Sequence, residues 1–230
     1  MNVELSREHR AAMHAALGEP GRLAIVDALA LTDASPSELG RALGMPSNLL
    51  AHHLGVLEGA DIIVRGRSEA DRRRTYVQLS PEAFGFVAAP TPQHVPRVVF
   101  VCTQNSARSQ LAAALWASRA VLPVASAGTR PAPRVHPRAV STARRHGLEL
   151  RRARTAHVRD VVRPGDLVVA VCDHAYEELA ETGATQLHWS IPDPARSPTD
   201  DAFEHAFAAL DERVDRLAGT LAGPDQSRRN

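Results

Sequence analysis

One stretch constrains this chain more than any other: Val98-Val99-Phe100-Val101-Cys102, then Thr103-Gln104-Asn105-Ser106-Ala107-Arg108-Ser109-Gln110, then Leu111-Ala112-Ala113-Ala114-Leu115-Trp116. The β-branched and aromatic run reads as a buried strand, the small polar residues as a tight loop, and the segment from Leu111 as a helix. Strand, loop and helix in that order make an anion site, because loop N–H groups point inward and the helix dipole favours negative charge. Arg108, six positions after Cys102, can grip two oxygens of a tetrahedral oxyanion with its planar fork. Cys102 is the candidate thiolate nucleophile.

The segment VVFVCTQNSARSQLA resembles the phosphate-binding loop of the low-molecular-weight tyrosine phosphatases and of the arsenate reductases that share their fold. Ser126-Ala127-Gly128-Thr129 and Pro192-Asp193-Pro194 follow in the family's order, and the resemblance covers about residues 97–222. It implies that Cys102 attacks the oxyanion and that Thr103, Gln104, Asn105, Ser106, Ala107, Arg108 and Ser109 hold it. It also implies that Asp193 is the general acid. The phosphatases usually read Arg-Ser-Pro and Asp-Pro-Tyr; here Arg108-Ser109-Gln110 and Asp193-Pro194-Ala195 resemble the arsenate reductases. Cys172, after the strand-like Leu167–Val171, stands where those reductases place a resolving cysteine; as a bare residue it also reads as a small buried hydrophobe. The further cysteine of thioredoxin-coupled relatives is missing from 173–183. No bound cofactor is expected, and the reductant is a thiol: mycothiol, glutathione or a thioredoxin system. Gln104 replaces a usual glycine and Ala107 a common cysteine.

Ahead of this region the pattern is different. Residues 7–18 and 20–31 carry helical spacing, and Ser35-Pro36 opens a helix over Ser37 to Leu43 that Gly44 closes. A second short helix starts at Pro46-Ser47, which together makes a helix-turn-helix. Residues 61–67 and 72–79 then read as a β-hairpin with a charged tip. LGEPGRLAIVDAL and SELGRALGMPSNLLAHHLGVLEGADII resemble the winged-helix repressors of the arsenic-responsive ArsR family over about residues 10–80. The resemblance implies a homodimer on double-stranded DNA. Candidate DNA-facing residues are Ser47, Asn48, His52 and His53 on the helix, and Arg65, Arg67, Arg72, Arg73 and Arg74 on the wing. No cysteine lies in this region, so thiolate sensing of a soft metal is not supported there. His52 and His53 are adjacent and point apart on a helix, so no metal site is expected.

The fold class is therefore two domains: a mainly α winged helix with a β-hairpin wing, and an α/β parallel-sheet domain like the low-molecular-weight phosphatases. The expected boundaries are 1–80 for the winged helix, 81–96 for a Pro-rich linker, 97–222 for the second domain and 223–230 for a tail. Net charge is +1, so overall charge alone predicts neither nucleic-acid nor membrane binding. Residues 61–79 do carry five Arg against three acids. Two cysteines exclude a disulfide scaffold, and no leader-like or membrane-length apolar run is visible. The reading is a cytoplasmic arsenate reductase fused to an ArsR-type DNA-binding domain, acting in arsenic resistance. Its alternatives are an oxyanion-sensing regulator without turnover and a tyrosine phosphatase.

Overall fold

The computed structural model describes residues 6–81, 83, 95–150, 153–180, 186–197 and 199–221. Most of the expected linker and the whole expected tail lie outside the described residues. The chain divides into two compact units, one of residues 1–68 and 72–90, the other of 69–71 and 91–230.

The first unit holds helices α1 (Arg7–Leu17), α2 (Pro20–Ala28), α3 (Pro36–Leu43) and α4 (Ser47–Gly59), then strands β1 (Ile63–Arg67) and β2 (Thr75–Leu79). Helix α3 begins in a capping box: Ser35 Oγ accepts from the Glu38 N–H, and Glu38 Oε2 accepts from the Ser35 N–H. It ends at Gly44, whose left-handed φ of 61° suits a residue without Cβ. Met13, Ile25, Val26, Leu39, Leu54, Leu57, Ile62 and Val77 form its core. The strands pair antiparallel, Ile63 opposite Leu79 and Arg67 opposite Thr75. Ala34 bridges Val77, adding a third short edge.

The second unit is built on strands β3 (Val98–Cys102), β4 (Val124–Gly128), β5 (Leu167–Ala170) and β6 (Gln186–His188), all parallel in the order β4-β3-β5-β6. Helices α5 (Arg108–Arg119), α6 (Pro137–Arg145), α7 (Val158–Val161), α8 (Asp173–Ala180) and α9 (Asp200–Leu221) surround it. Helix α5 follows β3 to one side and α8 follows β5 to the other, so right-handed crossovers place them on opposite faces. The chain therefore reverses direction across the sheet between β3 and β5. That switch point is where ligands settle in open parallel sheets. Phe100 packs against both Trp116 and Trp189 in the core.

Two elements differ from the sequence expectation. The apolar residues of 121–125 read as a strand in the sequence, but β4 runs three residues later and Val121 is 86% exposed. Pro123 has no N–H to give the ladder, so only its carbonyl engages, accepting from Val98. Helix α5 starts at Arg108 rather than Leu111, which makes Arg108 its first residue.

Gly128 closes β4 against the loop: a Cβ there would lie 2.7 Å from the Thr103 carbonyl and 2.9 Å from the Asn105 nitrogen. Both neighbours are backbone and cannot rotate away. Gly128→Ala is expected to lower stability by about 1–3 kcal/mol, as overpacking does, read by urea unfolding. At the opposite end of the sheet, Arg97 forks onto Asp166 at 2.5 and 3.0 Å and donates to the Val161 carbonyl. Burial pushes the Asp166 pKa up, but Arg97 and the Arg163 N–H outweigh it and hold it below 3.8. A folded-state pKa below the unfolded one gives stability present above the unfolded pKa and lost as pH falls through the folded pKa. Asp166→Asn should therefore be less stable near neutral pH, with the gap to wild type shrinking below about pH 4 in denaturation titrations.

Candidate functional site

Cys102 ends β3, and the loop that follows is wound around its sulfur. Asn105 adopts a left-handed φ of 50°, which turns its N–H back onto Cys102 Sγ at 3.2 Å. Ser109 Oγ lies 3.1 Å from the same sulfur and accepts from Asn105 Nδ2 at 2.9 Å. The Asn105 N–H thus donates to Cys102, and the Ser109 hydroxyl lies within hydrogen-bond distance of the same sulfur. Gln110 braces the loop from behind, its Nε2 meeting the carbonyls of Asn105 and Arg154 at 3.1 and 3.0 Å. Asn105 Oδ1 in turn accepts from the Ala156 N–H at 2.9 Å. The sequence reading assigned Gln110 no role; its signal was a polar residue where the helix should bury an apolar one.

Gln104 is exposed and lacks a positive φ, so a side chain fits where glycine is usual. Its Oε1 accepts from Ser106 Oγ at 3.4 Å. Ala107 is buried and precedes the first turn of α5.

Arg108 is only 6% exposed. It donates to the Ile191 carbonyl at 2.7 Å and pairs with Asp193 Oδ1 at 3.3 Å. Burial works to lower its pKa, but the negative character of Cys172, Cys102 and Asp193 raises it above the ordinary value. The guanidinium is thus a fixed cation at the mouth of the loop. Asp193 also caps a short 3-10 turn, Pro194–Arg196, accepting from the Ala195 N–H at 3.3 Å.

Cys172 lies beyond β5, which pairs in register with β3, and the Val171 N–H donates to the Val101 carbonyl. This puts the two thiols on adjacent strand ends. Cys172 Sγ is 3.5 Å from Thr103 Oγ1 and 3.5 Å from the Ala175 N–H in the first turn of α8. Burial pushes its pKa up; Arg108 opposes that, and the neighbouring Cys102 adds to it. Both thiols are free. The structure thus brings Cys102, Cys172, Arg108 and Asp193 to one end of the sheet. Arg130, His174 and Arg196 line the cavity mouth, and no Tyr, Phe or Trp does so among the described residues. These three were not predicted, although Arg130 directly follows the Ser126–Thr129 motif.

In the first unit, Ser47, Asn48 and His52 are exposed at the start and on the open side of α4, and Arg65, Arg67, Arg72, Arg73 and Arg74 are exposed on the hairpin. Arg65 is ion-paired with Glu58 of α4 at 3.0 Å. His53 does not join them. It shares the core face with Leu50, Leu54 and Leu57, is 6% exposed, and has its Nδ1 3.6 Å from Glu19 Oε2. The 3.6-residue period places it inside, so it is removed from the DNA-facing set. Among the described residues no group of three or more His, Cys, Asp or Glu could hold a metal ion. No helix there is long and apolar enough to cross a membrane.

Comparison with known proteins agrees with this fold. The low molecular weight phosphotyrosine protein phosphatase family model matches residues 97–227, and a helix-turn-helix domain model matches residues 17–66. The arsenate reductase of Brevibacillus brevis is 31% identical over 130 residues, 54% of this chain and 94% of that protein. Arsenate reductase 1 of Bacillus cereus is 33% identical over 129 residues, with the same coverage. The tyrosine phosphatase Wzb from Escherichia coli K30, solved with sulphate, shares the fold at a TM-score of 0.52 and 22% identity over 56% of this chain and all of Wzb. Erwinia amylovora tyrosine phosphatase amsI does so at 0.51 and 21%, over 56% of this chain and 95% of amsI. The chain belongs, through residues 97–227, to the low molecular weight phosphotyrosine protein phosphatase family, with a helix-turn-helix domain preceding that part in the same chain.

Proposed function

We propose that this protein reduces arsenate to arsenite, in arsenic resistance, and that its N-terminal part is an ArsR-type DNA-binding domain. The observation that carries the reading is the second thiol: Cys172 beside Thr103, just beyond the strand that neighbours that of Cys102, near the same arginine. Phosphoryl transfer needs one nucleophile, whereas arsenate reduction needs two sulfurs to supply two electrons. The relatives named arsenate reductases support it, as does a cavity lining without, among the described residues, the aromatic wall an aryl phosphate would use.

In this mechanism Arg108 and the N–H groups of residues 103–109 hold the oxyanion, and Cys102 attacks arsenic. Asp193 protonates the departing oxygen, which leaves as water. The Cys172 thiolate then attacks the Cys102 sulfur. The S–S bond forms, the S–As bond breaks, and its electron pair reduces As(V) to As(III), released as arsenite. No bound cofactor is required, and a thiol reductant (mycothiol, glutathione or a thioredoxin system) regenerates the dithiol. The protein acts in the cytoplasm, with residues 1–80 as the winged helix, 81–96 as linker, 97–222 as the catalytic domain and 223–230 as tail. It binds double-stranded DNA as a homodimer through Ser47, Asn48 and His52 and the wing arginines.

Arsenite production from arsenate, assayed with each donor separately, tests the reading. Cys102→Ser and Arg108→Ala should each lose at least about 10³-fold, the scale of losing a nucleophile or an oxyanion donor. Substantial activity in either, or faster turnover of an aryl phosphate, would overturn it. For the DNA-binding part, Arg67→Ala should weaken binding to duplex DNA and reduce the slope of log K against log salt by about 0.9, the value of one phosphate contact.

A further inference from the structure

A buried polar pair beside the site has no part in the chemistry just described. His188, in β6, is fully buried, and its Nε2 lies 3.0 Å from Asp173 Oδ1, itself 3% exposed. Burial pushes the Asp173 pKa up, but hydrogen bonds from His188, the Glu69 N–H at 2.7 Å and Ser190 hold it below the ordinary value, so the carboxylate accepts and Nε2 is the donor. The Tyr176 ring stacks on His188 with centroids 4.1 Å apart and planes 8° from parallel. Two features give this pair a purpose. Asp173 directly follows Cys172 and opens α8, so whatever fixes Asp173 fixes the backbone that carries the thiol. The segment beyond His188 then reaches Ile191, whose carbonyl takes the Arg108 guanidinium, and Asp193.

We propose that His188 is a positioning residue for the resolving step: through its hydrogen bond to Asp173 it holds Cys172 in line for attack on the Cys102 sulfur. The proposal rests on reading Cys172 as the resolving thiol. Displacement at sulfur requires the incoming thiolate opposite the breaking S–As bond. Small misplacements of a reacting group are costly, up to about 10²-fold for roughly 1 Å. A charged carboxylate held from strand β6 is a stiffer anchor than the terminus of an eight-residue helix alone.

The test is a single turnover of the full-length, pre-reduced protein with arsenate and no added thiol. The reaction is quenched in acid, and the Cys102–Cys172 disulfide is quantified by alkylation and mass spectrometry. His188→Phe keeps a ring against Tyr176 but removes the donor; His188→Gln restores an N–H. The expected result is disulfide formation slowed about 10- to 100-fold in His188→Phe and largely recovered in His188→Gln. The rate at which iodoacetamide alkylates Cys102 should stay at the wild-type value in both. Wild-type disulfide formation in His188→Phe, no recovery in His188→Gln, or a parallel loss of Cys102 alkylation each overturns the proposal. Should His188→Phe not fold, His188→Leu deletes the same bond and is read the same way. Cys172→Ser separates the two ideas. Arsenite from that variant without added thiol removes Cys172 as resolver and this proposal with it, whereas an unchanged His188→Phe rate removes the proposal alone.

Discussion

The second unit is organised around one buried cation. A guanidinium that is 6% exposed must be compensated, because an unpaired charge out of water costs several kcal/mol or more. Compensation here comes from Cys102 at the end of β3, from Cys172 just after β5, and from the Ile191 carbonyl and the Asp193 carboxylate after β6. Arg108 therefore gathers the ends of three strands into one place. The oxyanion that the loop would bind substitutes for part of that compensation.

Much of this was legible because strand chemistry is local. The Val98–Cys102 run, the Leu167–Val171 run and the small polar loop between β3 and α5 announce themselves through β-branched content and a change of period. What was not legible is tertiary or too short to be periodic. Helix α7 is four residues long and the turn at Pro194–Arg196 three, below the length at which spacing carries a signal. The first turn of α5 is Arg-Ser-Gln, which reads as loop until Gln110 is seen bracing Asn105. The His188–Asp173 pair joins residues fifteen apart on different elements, which periodicity cannot see.

His53 teaches the complementary lesson. Its neighbour His52 is exposed and its polarity suggests a surface role, yet Leu50, Leu54 and Leu57 fix which side of α4 is buried, and position 53 falls on it. Residue type suggested one face and the apolar spacing dictated the other. Where the two conflict on a helix, spacing wins because the core must be continuous. The β4 offset follows similar logic: Val121 looks like a strand residue, but Pro123 sets where the ladder can begin.

The thiol pair has a consequence for the order of events. Charge on Cys102 works against charge on Cys172, and burial already disfavours the latter. Burial and that repulsion both favour the protonated form of the Cys172 thiol. In the proposed reaction the first sulfur is tied up in a covalent bond before the second is called on, so the charge of a Cys102 thiolate no longer opposes ionisation of Cys172. A site built this way would bring its two sulfurs into play in sequence.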